Sequence, residues 1–304
     1  MSEILVVGSV AYDSISTPQG KAEHILGGSA NYFSVASSLY AKVNVVGVVG
    51  DDYAEKDFEL LRSRNVSLEG LQQVSGKTFH WQGKYEDDMN EAITLETQLN
   101  VFEHFDPTLP ESYKDSKYVF LANIDPELQL KVLEQVRSPK FVGLDTMNLW
   151  IDIKKDKLKE VMGKVDVVLI NEGEARMFAG TMNTVKAIKE IASHGPRGVV
   201  VKRGEYGFMM YSEGQFFVLP AFPVDNVVDP TGAGDTFAGG FFGYLAKTNT
   251  EVNMESLKNA CIHGCLIASY TVEGFGLSKI EKLDWSMVEG RHNKYRSVIS
   301  YNQL

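Results

Sequence analysis

Short apolar runs rich in β-branched residues recur along the chain at residues 4–7, 45–49, 118–121, 141–144, 165–170 and 199–201. Runs of this length without polar alternation read as strands buried on both faces. Between them lie segments whose apolar residues fall at helical spacing, such as 53–64, 127–136 and 172–178. Strand and helix therefore alternate, which predicts an α/β fold with a mostly parallel sheet flanked by helices. No repeat, low-complexity tract or Pro/Ser-rich linker divides the chain, so a single α/β domain over residues 1–304 is expected.

One region departs from this rhythm. Residues 78–85 alternate strictly, with Phe79, Trp81 and Tyr85 on one face and Thr78, His80, Gln82 and Lys84 on the other. A polar turn at 86–91 leads into 92–102, where Ile93, Leu95, Leu99 and Val101 alternate with polar residues. The pattern predicts an antiparallel hairpin projecting from the α/β body. A lone hairpin is marginal in water, so this one has to pack on the body, on a ligand or on another copy of itself.

Composition narrows the class. Of 304 residues, 44% are hydrophobic and 23% charged, which excludes disordered, collagen-like and disulfide-dense chains. The formal charge of −10 repels polyanions, so neither nucleic acid nor an anionic membrane is expected as a partner, and any phosphate site has to be local. Cys261 and Cys265 lack the paired spacing of a zinc site and read as core. No basic leader precedes the first apolar run and no stretch suits a membrane span, so a cytoplasmic protein is expected.

The most informative stretch is 229–235, Asp-Pro-Thr-Gly-Ala-Gly-Asp, followed by Phe237, Gly240, Phe241, Tyr244 and Leu245 at helical spacing. A helix with one buried face thus begins near Gly232. In its first turn the N–H groups of Gly232, Ala233 and Gly234 lack intrahelical partners and can donate to an anion. Asp235 projects from the same turn, placed to take a proton from an attacking hydroxyl while those amides hold phosphoryl charge. The plainer alternative is an acidic residue complementing the helix dipole. Two other nucleotide motifs fail: 70–78 is one residue too long for a Walker A loop and opens the hairpin, and the 232–237 segment lacks the third glycine of a dinucleotide fingerprint.

Segment 229–235 resembles the signature of the ribokinase (PfkB) family of small-molecule kinases. Further segments agree in family order: Gly8-Ser-Val-Ala-Tyr-Asp13 after the first strand, Gly27-Gly28-Ser-Ala-Asn31 with Val46 to Asp51, Asn171-Glu-Gly-Glu174, and Val199 to Gly207. Two residues rather than three separate the double glycine from Asn31, and Ala54 stands where the family often has glycine. The resemblance implies a ribokinase-like fold with a small β lid built from approximately 11–20 and 78–102, and a homodimer clasped through it. It also implies ATP and Mg2+ as cofactors, with Lys202, Gly204, Gly207 and Thr231 on the nucleotide side, and a monovalent cation, K+, near Asp229 and Thr231.

The residues carry their own logic. Asp13 stands past a strand's carboxyl end, where α/β sheets place ligands, and a carboxylate there accepts from two sugar hydroxyls or closes an Asx turn. Gly27 and Gly28 let backbone approach a ligand, and Asn31 offers donor and acceptor. Asn171 and Glu174, three apart at a helix start, suit a magnesium ion that keeps its waters, or alternatively a capping box. Asp235 is expected to act mainly by orientation, its pKa kept low by the helix terminus. His263 reads as a core or adenine-side residue. The expected activity is ATP-dependent phosphorylation of an alcohol of a small sugar. The alternatives are a nucleoside kinase, whose base would stack on the aromatic hairpin face, and a catalytically silent sugar- or nucleotide-binding protein.

Overall fold

A computed structural model describes residues 3–300. The chain runs β1 (Glu3–Val7), β2 (Ala11–Thr17), β3 (Gly20–Gly27), α1 (Ser29–Ser37), β4 (Lys42–Val49), α2 (Glu55–Ser63), β5 (Val66–Gln73), β6 (Phe79–Lys84) and β7 (Ile93–Gln98). It continues with β8 (Tyr118–Leu121), α3 (Pro126–Leu133), β9 (Phe141–Leu144), α4 (Asn148–Ile153), α5 (Lys155–Met162), β10 (Val167–Asn171), α6 (Glu172–Ala179) and α7 (Thr184–Ala192). The last third holds β11 (Gly198–Lys202), β12 (Phe208–Ser212), β13 (Gln215–Leu219), α8 (Ala233–Thr248), α9 (Met254–Thr271) and α10 (Trp285–Ile299).

Nine strands form one sheet in the order β13-β12-β11-β10-β9-β8-β1-β4-β5. Seven are parallel, and β12 and β13 extend one edge in antiparallel fashion. Side chains leave a strand on alternate faces, so β1 sends Ile4 and Val6 into one core with α1, α8 and α9, and Leu5 and Val7 into another with α5, α6 and α7. Covering both faces is what makes these strands continuous apolar runs. Helix α8 packs without intervening side chains: a Cβ at Gly239 would come within 2.6 Å of the Phe33 carbonyl, and one at Gly240 within 2.8 Å of the His263 carbonyl. This contact fixes the height at which the first turn of α8 meets the strand ends. Cys261 and Cys265 are buried, free and part of this core.

A second sheet of four strands, β3-β2-β6-β7, stands apart. The hairpin expected from 78–102 is present as β6 and β7, but its second strand stops at Gln98 and turns into a 3-10 segment, Asn100–His104. There the Asn100 amide donates to the Thr78 carbonyl at 3.0 Å. The segment expected at 11–20 is a hairpin of its own, β2 and β3, reaching Gly27, and β2 joins β6 in parallel. Among the described residues no helix is long and apolar enough to cross a membrane.

Candidate active site

Three chain segments converge at the carboxyl ends of the large sheet. The first comes from the small sheet. Asp13, on β2, is buried, and its carboxylate lies against Gly27 of β3, where any Cβ would collide with it. Burial, then the neighbouring charge of Asp229, push its pKa up to about 8, while the Gly28 N–H pulls it down and Asp235 adds a smaller upward push. Asn31, fully buried in α1, commits its Nδ2 to the Gly27 carbonyl at 2.6 Å. Its Oδ1 lacks a hydrogen-bond partner, and one of the two Nδ2 protons is committed internally.

The second segment is 229–235. Asp229 is fully buried and accepts from the N–H of Thr231 at 2.9 Å and of Gly276 at 3.2 Å. Gly232 takes the left-handed conformation, φ 73°, over the Tyr32 ring, so only glycine fits there, and α8 begins at the next residue. Of the three amides expected to face an anion, that of Ala233 donates to the Pro230 carbonyl at 3.2 Å. Those of Gly232 and Gly234 have no backbone acceptor among the described residues. The helix terminus does not hold Asp235 low: burial, then the Asp145 carboxylate, raise its pKa to about 7, against the pull of Lys202. Desolvation among like charges outweighs the dipole here.

The third group comes from the ends of β9, β10 and β11. Asn171 and Glu174 form a capping box, the Asn171 Oδ1 accepting from the Glu174 N–H at 2.8 Å and the Glu174 Oε2 from the Asn171 N–H at 3.0 Å. Burial and Asp145 push Glu174 up to about 7 while Lys202 opposes. Lys202 ends β11 and pairs with Asp145 at 2.8 Å, both side chains largely buried. Its Nζ lies 3.0 Å from where a Gly234 Cβ would stand, beside the first turn of α8. Gly204 and Gly207 bracket a tight turn with φ 53° and 83°. Thr231 Oγ1 is hydrogen-bonded to the Tyr85 hydroxyl at 3.2 Å.

Asp13, Gly27, Gly28, Asn31, Asp229, Thr231 and Asp235 are therefore brought together, with Lys202 and Glu174 electrostatically linked to Asp235 and Asn171 bonded to Glu174. The sequence reading missed Asp145. It sits one residue past the carboxyl end of β9, close to the level at which Asn171 ends β10 and Lys202 ends β11, and that was the available signal. His263 lies away from this site, its ring accepting from or donating to the Tyr40 hydroxyl at 3.0 Å and stacked on Tyr244. Among the described residues no group of three or more His, Cys, Asp or Glu is arranged to hold a metal ion directly. Three carboxylates, Asp145, Glu174 and Asp235, nevertheless share one ammonium, Lys202, an imbalance that a hydrated divalent cation fits.

A model of the pfkB family of carbohydrate kinases matches residues 1–283. The cytidine kinase of Thermococcus kodakarensis is 33% identical over 252 residues, 80% of this chain and 89% of that one. The crystal structure of Methanocaldococcus jannaschii nucleoside kinase superposes with a TM-score of 0.77 at 21% identity, covering 97% of this chain and 99% of the other. Ribokinase of Thermotoga maritima gives 0.75 at 20% identity, over 96% and 100% of the two chains.

Proposed function

The chain belongs to the pfkB family of carbohydrate kinases, and from that premise we propose that it transfers the γ-phosphoryl group of ATP to a ribose hydroxyl of a nucleoside. Trp81 carries the nucleoside reading. Asp13 and Trp81 are paired on the parallel strands β2 and β6, so both side chains leave the same face of the small sheet. Gly83 lies under the indole, where a Cβ would collide with the ring, and Nε1 donates to Thr94 Oγ1 at 3.2 Å. The ring is thereby held flat over Gly83 toward β7, on the face of the small sheet that also carries the carboxylate that would bind sugar hydroxyls. A base attached to that sugar meets a fixed aromatic face, an interaction worth about 1–3 kcal/mol, whereas a free sugar gains little from it. Similarity to a cytidine kinase supports the same reading. The small-sugar acceptor expected from the sequence would use Asp13, Gly27, Gly28 and Asn31 and leave the indole without a role.

Asp13 and the Asn31 Oδ1 orient the ribose. The acceptor oxygen gives its proton to Asp235 as it bonds the γ-phosphorus, and the bond from that phosphorus to the β–γ bridging oxygen breaks to release ADP. The amides of Gly232 and Gly234, backed by Lys202, hold the charge of the group in transit. Gly204, Gly207 and Thr231 line the nucleotide side. Asn171 and Glu174 would hold, through water, the magnesium ion that neutralises the nucleotide's phosphates. Asp229, buried with no basic partner among the described residues, supports a monovalent cation such as K+ beside Thr231. The small sheet serves as lid, and its edge strand β7 exposes Ile93 and Leu95, which with Leu99 supports a homodimer joined there.

ADP release measured with nucleosides and free sugars in parallel tests the proposal. The best nucleoside should exceed ribose in kcat/KM by roughly 30-fold, the factor that about 2 kcal/mol of stacking supplies, and Trp81→Leu should narrow that gap. Preference for a free sugar would overturn the nucleoside reading. Absence of acceptor-dependent ADP release would overturn the kinase reading itself.

A further inference from the structure

Tyr85 is the first residue after β6, and its N–H donates to the Ser16 carbonyl at 2.8 Å, which anchors it to the small sheet before the chain enters the 86–91 turn. Alternation along β6 puts its side chain on the face that carries Asp13 and Trp81. From there the phenol reaches across to Thr231 Oγ1 at 3.2 Å. Thr231 is a sensitive place to touch. Its N–H donates to Asp229 Oδ1 at 2.9 Å, and the next residue is Gly232, whose left-handed backbone aims the amides at the first turn of α8. The small sheet makes one other hydrogen bond to this stretch, from Thr17 Oγ1 to the Val228 carbonyl at 2.9 Å. One hydroxyl from β2 and one from the end of β6 thus hold either side of Asp229.

We infer that Tyr85 is a positioning residue for phosphoryl transfer: its hydroxyl fixes Thr231, and through it the Gly232 and Gly234 amides, when the small sheet lies over the acceptor. The inference rests on the kinase reading above. Tyr85 touches neither the acceptor oxygen nor the phosphorus, and its contribution is to tie the geometry of the anion-binding turn to coverage of the site. An acceptor bound under the sheet then meets a preorganised turn, and a turn without the sheet over it is less well held.

Tyr85→Phe keeps the ring and removes the hydroxyl. It should leave the melting temperature and ATP affinity at wild-type values and lower kcat about 3- to 10-fold, the range set by one neutral hydrogen bond, with a smaller change in acceptor KM. The loss should vanish in a Thr231→Val background and persist in Thr231→Ser, which retains the hydroxyl. Amide hydrogen exchange gives a readout independent of turnover: residues 232–235 should exchange faster in Tyr85→Phe than in wild type. Wild-type kcat and exchange in Tyr85→Phe would overturn the inference, as would an undiminished loss in the Thr231→Val background. A wild-type protein that phosphorylates nothing, with 232–235 still loosened by Tyr85→Phe, would sink the kinase reading and leave the positioning contact standing.

Discussion

Asp145, Glu174 and Asp235 compete for the ammonium of Lys202, and that competition, on top of burial, sets the protonation of Asp235, the base of the proposed transfer. Asp235→Asn should bind nucleotide and acceptor nearly as wild type while turnover falls roughly 100-fold or more, as steady-state kinetics would show. With Asp235 near 7, kcat/KM should fall as pH drops below about 7, because the protonated carboxyl cannot accept the acceptor's proton. Asp145→Asn removes a neighbouring charge that raises Asp235, so the acid limb of that profile should move to lower pH; an unmoved limb would show that another group titrates there. Asp13, Asn171, Glu174 and the 229–235 loop were legible because each signal is local, a polar residue at a strand end or a helix start. The Lys202–Asp145 pair was not, since its partners are 57 residues apart and only the β9-β10-β11 order brings them together.

At the level of elements, the small sheet turns on Thr78. This buried residue donates from its N–H and its hydroxyl to Asp52 Oδ1, at 2.7 and 2.6 Å, while its hydroxyl also accepts from the Gly50 N–H at 3.0 Å. Asp52→Ala should therefore raise hydrogen exchange across 78–98 and raise the acceptor KM severalfold with little change in ATP affinity. Edge strand β7 presents Ile93 and Leu95, 41% and 52% exposed, with an unpaired backbone edge. If copies join there, Leu95→Glu should turn a dimer into a monomer in sedimentation velocity; a wild-type monomer would exclude the clasp. The β6–β7 hairpin was legible from strict alternation. The parallel β2–β6 pairing was not, because β2 carries no signal of its partner and the register depends on where the large sheet delivers both strands.

Across the whole molecule, stability carries the imprint of the site. Asp13, Glu174 and Asp235, raised to about 8, 7 and 7, hold protons in the folded state that the unfolded chain has released, so between about pH 4 and 8 these groups make stability fall as pH rises. His263, pushed down to about 4 by burial, acts in the opposite sense below its ordinary pKa, which is why a difference measurement is needed. Asp13→Asn should melt with wild type at about pH 4 and progressively above it as the pH rises to 8, a widening gap that calorimetry resolves. The parallel pairing of β2 with β6 has a further consequence, in folding order. Each half of the small sheet is a local hairpin, but Ala11 and Phe79 are partners across a stretch that contains β4 and β5, so joining the two halves carries the closure entropy of a long loop. In refolding from denaturant, the fluorescence of Trp81 should recover after the far-ultraviolet dichroism of the large sheet and its helices, so that a newly made chain would complete the 229–235 turn before the small sheet covers it.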